Sequence, residues 1–130
     1  LEEKERPYAS APSGGPLVQH SLPMMLELSA QGVSPVETVV EKMCHAPARL
    51  FGVRDRGFLR TGHFADIVLV RPADPWTVSK ENILYKCGWS PLEGTAFSHR
   101  VVRTLVNGRT VYADGRVDTA HRGAELEFDR

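Results

Sequence analysis

The chain has 130 residues, 42% of them hydrophobic, which is enough for one compact domain with a core and too few for two. Sixteen Lys and Arg balance 16 Asp and Glu, and no stretch concentrates one sign. The electrostatic footprint of a nucleic-acid or acidic-membrane binder is therefore missing, and a small neutral or self-neutralising ligand fits better.

The first residues, Leu1-Glu2-Glu3-Lys4-Glu5-Arg6, are charged where a signal peptide needs an apolar stretch. Apolar runs such as Ile67-Val68-Leu69-Val70 fall far short of the roughly 20 residues that a bilayer-spanning helix requires. A start on Leu1, a charged run and a Pro-Ser-Gly-Gly stretch together predict a piece of a longer protein. Residues 1 to 16 carry Pro7, Pro12, Gly14, Gly15 and Pro16 and read as one long loop, a kind of segment that is usually either functional or disordered.

From Leu17 to Gln31 the positions Leu17, Leu22, Met25, Leu26 and Leu28 recur near helical spacing, and Gly32 supplies a stop. Ser34, Pro35 and Glu37 then spell a capping box with proline at the first helical position, predicting a second helix from about Pro35 to Cys44. His45-Ala46-Pro47 is expected to break it, leaving a short helical piece from Pro47 closed by Gly52. Beyond Gly52 the pattern changes to strands and turns. Ala65 to Val70 is a β-branched strand bounded by Gly62 and Pro72, and Val101–Val106 and Thr110–Tyr112 flank the hairpin signal Asn107-Gly108. Asp114-Gly115 offers another turn into Arg116-Val117, and the charged tail after His121 is expected to be peripheral. Helices first and strands afterwards suggest two architectural contexts meeting between Gly52 and Gly62.

The histidines, His20, His45, His63, His99 and His121, show no pair at the three- or four-residue spacing that puts two ligands on one helix face. Each reads as structural, with His45 expected to complement a helix C-terminus. Cys44 and Cys87 are too few and too far apart for a disulfide scaffold or a metal knuckle, so a reducing cytoplasm is the expected location. Cys44 and His45 are adjacent and would point apart on a helix. Asp55, Asp66, Asp74 and Glu93 are scattered, and Ser13-Gly14-Gly15 lacks the lysine and preceding strand of a phosphate loop. No catalytic residue and no metal ligand is assigned from spacing.

Whole phrases say more. The runs Ala11-Pro12-Ser13-Gly14-Gly15-Pro16-Leu17-Val18-Gln19-His20, Val40 to Gly52, Arg56-Gly57-Phe58-Leu59-Arg60, Ala65-Asp66-Ile67-Val68, Tyr85-Lys86-Cys87-Gly88-Trp89-Ser90-Pro91-Leu92-Glu93-Gly94 and the hairpin Thr104 to Tyr112 come in this order. Together they resemble the C-terminal third of dihydroorotases, within the cyclic amidohydrolases. The resemblance implies an α/β fold: the last helices of an amidohydrolase (β/α)8 barrel in residues 1–58, and the C-terminal strands of a small accessory β-sandwich in 59–130. It implies a zinc-dependent, reversible hydrolysis of the L-dihydroorotate ring amide to N-carbamoyl-L-aspartate in pyrimidine biosynthesis. The zinc ligands of that family match nothing in this chain and are expected upstream of Leu1. What does match is a loop that closes over substrate, here Ala11, Pro12, Ser13, Gly14 and Gly15, whose glycines let backbone amides approach and whose prolines stiffen the chain.

The partners implied are the small-molecule substrate and the N-terminal part of the same protein, with a homodimer left open and neither nucleic acid nor membrane expected. Two alternatives stand beside this reading. Hydantoinase, dihydropyrimidinase or allantoinase share the fold and the later phrases, and a non-catalytic dihydroorotase-like subunit could support a partner such as aspartate transcarbamoylase.

Overall fold

The computed structural model describes residues 1–129, leaving aside the side chain of Ala73. A short 3₁₀ turn, Glu2–Glu5, opens the long N-terminal loop. The first helix, α1, spans Ser21–Ala30 and starts later than its apolar period suggests. Leu17 to His20 form a turn of their own, because the amides of His20 and Ser21 both bond the Leu17 carbonyl, at 3.0 and 2.8 Å. Pro23 is buried in the first turn of α1, where its missing N–H costs nothing. The stop at Gly32 forms as expected: with φ at 77° it bonds the Ser29 carbonyl, and Val33 bonds Leu28 behind it, both at 3.0 Å.

Helix α2, Val36–Val40, begins one residue later than predicted, and the capping box of Ser34 and Glu37 does not form. Pro35 is extended, with ψ at 151°, and its carbonyl receives the amides of Thr38 and Val39. Ser34 is thereby moved out of register with the amides it was expected to cap. The break at His45-Ala46-Pro47 is also absent, since a π-turn, Glu41–His45, carries the helix straight into α3, Ala46–Phe51. Pro47 has no amide for the Met43 carbonyl and its ring would crowd that oxygen in a regular helix. The wider turn, with the Ala46 amide on the Glu41 carbonyl, absorbs the defect, so the proline widens the helix where it was expected to end it. The helix closes at Gly52, in the left-handed region with φ at 62°.

Four antiparallel strands follow as a meander in the order β1-β2-β3-β4: Ile67–Thr77, Ala96–Val106, Arg109–Ala113 and Arg116–Val117. Strand β1 was expected to stop before Pro72 but runs on to Thr77. Among the described residues β1 pairs on one side only, so its prolines lose no bond on the open edge, and an irregularity between Pro72 and Trp76 takes up the rest. Both expected hairpin turns form, with Asn107, Gly108, Asp114 and Gly115 all at positive φ.

Helix α1 lies against β2. Between them the Glu27 carboxylate accepts the Ser98 amide at 2.8 Å and the Ser98 hydroxyl at 2.7 Å. Those two bonds hold the Glu27 carboxyl below its ordinary range. Arg56 is a buried cation that bonds Asp66, bonds the Asn107 side chain at 3.0 Å, and covers the Phe64 ring at 4.1 Å. The tail is exposed, as expected, but it is anchored. Phe128 pairs with Val53, the Asp129 amide bonds the Gly52 carbonyl at 2.7 Å, and the Arg54 guanidinium holds Glu127 and Asp129.

Among the described residues the buried apolar side chains are Pro23, Val39, Ala48, Val78 and Phe97. The chain exposes 9567 Å², whereas a compact monomer of its mass exposes about 6,800 Å². No described helix is long and apolar enough to cross a membrane.

Gly57, at φ 80°, lies flat against the π-turn and α3: a Cβ there would come 2.5 Å from the Ala48 Cβ and 2.8 Å from the Cys44 carbonyl oxygen. Gly57→Ala combines that collision with a strained φ and should cost about 2–4 kcal/mol in urea unfolding. Wild-type stability in this variant would refute the close approach.

Candidate functional site

The loop that sequence resemblance points to, Ala11 to Gly15, follows a turn at Pro7 whose carbonyl receives the amides of Ser10 at 2.8 Å and Ala11 at 3.0 Å. Ala11 is half-buried, while Pro12, Ser13, Gly14 and Gly15 are exposed. Gly14 takes φ at 80°, and a Cβ on Gly14 or Gly15 would meet nothing within 4 Å. Conformation, and not space, therefore demands glycine at position 14. Among the described residues the amides of Ser13, Gly14 and Gly15 have no hydrogen-bond partner, while the carbonyls of Pro12 and Gly14 accept the Lys4 ammonium. Three neighbouring free donors make a surface suited to carboxylate or carbonyl oxygens.

The chain after this loop is pinned to a segment far along the sequence. The Gln19 amide donates to the Tyr85 hydroxyl at 2.8 Å, its side chain donates to the Asn82 carbonyl at 2.7 Å, and its side-chain oxygen accepts the Leu84 amide at 2.8 Å. His20 is fully buried beside the rings of Trp76, Tyr85 and Phe97. Its Nδ1 lies 3.2 Å from the hydroxyl of Ser90, itself buried, and that hydroxyl oxygen accepts the Leu92 amide. The other ring nitrogen, Nε2, is buried with no polar partner among the described residues. Burial pulls the His20 imidazole below its ordinary range, so the ring is neutral near pH 7.

The remaining histidines do not meet there. The His45 ring stacks on Phe58 at 4.5 Å and its Nδ1 sits 3.3 Å from Glu41, so its expected role at a helix C-terminus does not apply: the helix continues past it. His63 meets Phe58 edge-on, and the guanidinium of Arg60 lies 4.4 Å from that ring's centre. His99 approaches the Ser98 hydroxyl, and His121 has a buried Nε2 without a partner. Among the described residues no three His, Cys, Asp or Glu converge into a metal site, and Cys44 and Cys87 are exposed free thiols. Two open clefts, one beside Arg71 and Arg100 and one beside Arg54 and Phe58, include no residue of the Ala11–Gly15 loop.

Comparison with known proteins places this arrangement. Residues 22–112 match the model of the amidohydrolase family. The chain belongs to that family. Among curated relatives, the dihydroorotase of Pyrococcus furiosus is 29% identical over 97% of this amidohydrolase chain. The dihydroorotase of Geotalea daltonii is 35% identical over 86% of it, and the allantoinase of Bacillus velezensis 40% identical over 79%. The chain spans 29%, 26% and 22% of those three relatives' own lengths. Of solved structures, the L-hydantoinase (dihydropyrimidinase) of Arthrobacter aurescens superimposes with a TM-score of 0.75 at 32% identity, over 85% of this chain and 25% of that one. A D-hydantoinase reaches a TM-score of 0.79 at 23% identity, over 89% of this chain and 26% of that one, which speaks to the fold.

What sequence reasoning missed in this amidohydrolase chain is the joining of Gln19 and His20 to Asn82–Ser90. The one available signal was that both lie in phrases carrying the family resemblance. Because the folded His20 binds its proton less well than the unfolded one, the unfolded state takes up more protons just below the ordinary value of 6.5. Stability contributed by neutral His20 is present above that value and lost as pH falls below it. Thermal melts from roughly pH 7 to pH 5 should show this decline, and His20→Phe, which keeps a ring in the cage, should flatten it. An equal slope in the variant would remove His20 as the cause.

Proposed function

We propose that this chain is the C-terminal segment of a dihydroorotase, with residues 1–58 closing the hydrolase barrel and residues 59–130 completing a small β-sandwich. The reaction is the reversible opening of the L-dihydroorotate ring amide to N-carbamoyl-L-aspartate, in the cytoplasm. The observation that carries this reading is the loop Ala11 to Gly15. Its unpartnered amides at Ser13, Gly14 and Gly15, with a lysine behind them, suit a substrate bearing a carboxylate beside a ring amide. The alignment of 97% of this chain with part of the Pyrococcus furiosus dihydroorotase supports it. Under this reading the zinc, which would lower the pKa of a bound water, is held by residues upstream of this chain.

Under the same reading the extra exposed area is the face covered by the rest of the protein. It includes Leu50, Phe51 and Leu59, and the open edge of β1 at Val68 and Leu69. The 130-residue chain alone should bind an apolar dye such as ANS and self-associate, and co-expression with the upstream part should suppress both. A monomeric, dye-free chain would contradict that covering.

A second reading, another cyclic amide hydrolase, draws on the Bacillus velezensis allantoinase and the hydantoinase structures. Its substrates lack the carboxylate on the ring. The intact protein, assayed side by side on N-carbamoyl-L-aspartate, hydantoin and allantoin, should favour the first in kcat/KM by about a hundredfold or more. Preference for hydantoin or allantoin selects the second reading, and inactivity on all three selects a non-catalytic subunit.

A further inference from the structure

Lys4 stands on the 3₁₀ turn Glu2–Glu5 and is half-buried. Its ammonium donates to the carbonyl oxygens of Pro12 and Gly14, eight and ten residues away. Among the described residues these are the only side-chain hydrogen bonds made to residues 11 to 15. No carboxylate lies within salt-bridge distance of Lys4 among the described residues, although Glu2, Glu3 and Glu5 share its turn, so its ammonium is committed to the two carbonyls.

In a trans peptide the C=O and the following N–H point in opposite directions, and the chain contains no cis bonds. The Pro12 carbonyl shares its peptide plane with the Ser13 amide, and the Gly14 carbonyl shares its plane with the Gly15 amide. Drawing both carbonyls onto one ammonium therefore turns the Ser13 and Gly15 amides to the far side, where they have no partner. We propose that Lys4 is a positioning residue: it clamps the loop by two alternate carbonyls and so aims the Ser13 and Gly15 amides at the substrate's anionic end. This rests on the reading of Ala11 to Gly15 as a substrate loop. Lysine suits the task because its ammonium has three donors and no acceptor, and such charge-assisted bonds are among the strongest a side chain makes.

The test uses the intact protein with Lys4→Gln, Lys4→Arg and Gly14→Val, assayed on N-carbamoyl-L-aspartate and nicked with subtilisin. Lys4→Gln should raise KM about tenfold, with kcat changed by less than about twofold. It should also speed nicking between Tyr8 and Leu17. Lys4→Arg, which keeps the charge and the donors, should restore both to within about threefold of wild type. A wild-type KM and nicking rate in Lys4→Gln, beside a raised KM in Gly14→Val, overturn the clamp and leave the substrate loop standing. An unchanged KM in Gly14→Val as well removes the loop reading itself. Nicking needs no substrate, so it reports on the clamp even where the enzyme assignment fails.

Discussion

The contact on which most of this chain depends is the buried meeting of His20 with Ser90. A buried polar ring is costly unless bonded, and here Ser90 provides the bond while its own oxygen accepts the Leu92 amide. Trp76, Phe97 and Tyr85 close around the imidazole and bring strand β1, strand β2 and the segment between them to one point. The loop of Ala11 to Gly15 runs into this point from one side and α1 leaves it on the other. One end of the loop is therefore fixed in the best-buried polar contact of the fold. The other end, at Lys4, is fixed by a single flexible side chain.

With few buried apolar side chains, the fold relies on polar pins placed where its elements join. Arg56 reaches from the helix–sheet connection to Asp66 at the start of β1 and to Asn107 at the hairpin tip. Asp66 in turn accepts the Asn107 amide at 2.8 Å, and the Gly108 amide bonds the Ala65 carbonyl at 3.0 Å. The hairpin tip is thus held by the residues that begin the first strand. Removing one partner of such a group leaves the buried guanidinium short of a bond, which costs more than the pair contributes when intact. Arg54 does the same at the surface for the C-terminal tail, where solvent screens the ion pairs.

Local chemistry was legible where it was decided locally. Gly32 stops α1 and the Asn107-Gly108 and Asp114-Gly115 turns form because their residues accept positive φ, whatever surrounds them. Proline was misread twice for one reason: its effect depends on the neighbour that would have received the missing bond. At Pro47 a π-turn absorbs the loss, and at Pro72 the open edge of β1 makes it harmless. The tail's docking onto Gly52–Arg54 pairs residues some 75 apart through backbone groups and the Arg54 ion pairs, a separation at which no local pattern announces a contact. The candidate loop was visible as a phrase. Its supports, Lys4 and the Gln19–His20 attachment, were not, because a hydrogen bond to a carbonyl leaves no sequence signature.

Along β1 the two halves of the strand differ as pairing edges. From Pro72 onward the strand carries two prolines, an acidic residue and a register irregularity, features that discourage another strand from pairing. From Ile67 to Leu69 the strand keeps its register and is apolar, with Val68 and Leu69 exposed and no proline among them. Under the proposed reading, a strand that completes this sheet would be received along Ile67–Leu69 and turned away beyond Pro72. That half of the edge begins at Asp66, the residue that Arg56 and Asn107 hold in place. The polar pins of the junction therefore also set the position of the edge that remains open, so the ordering of the chain's own hairpin and its readiness to accept a further strand share one physical cause.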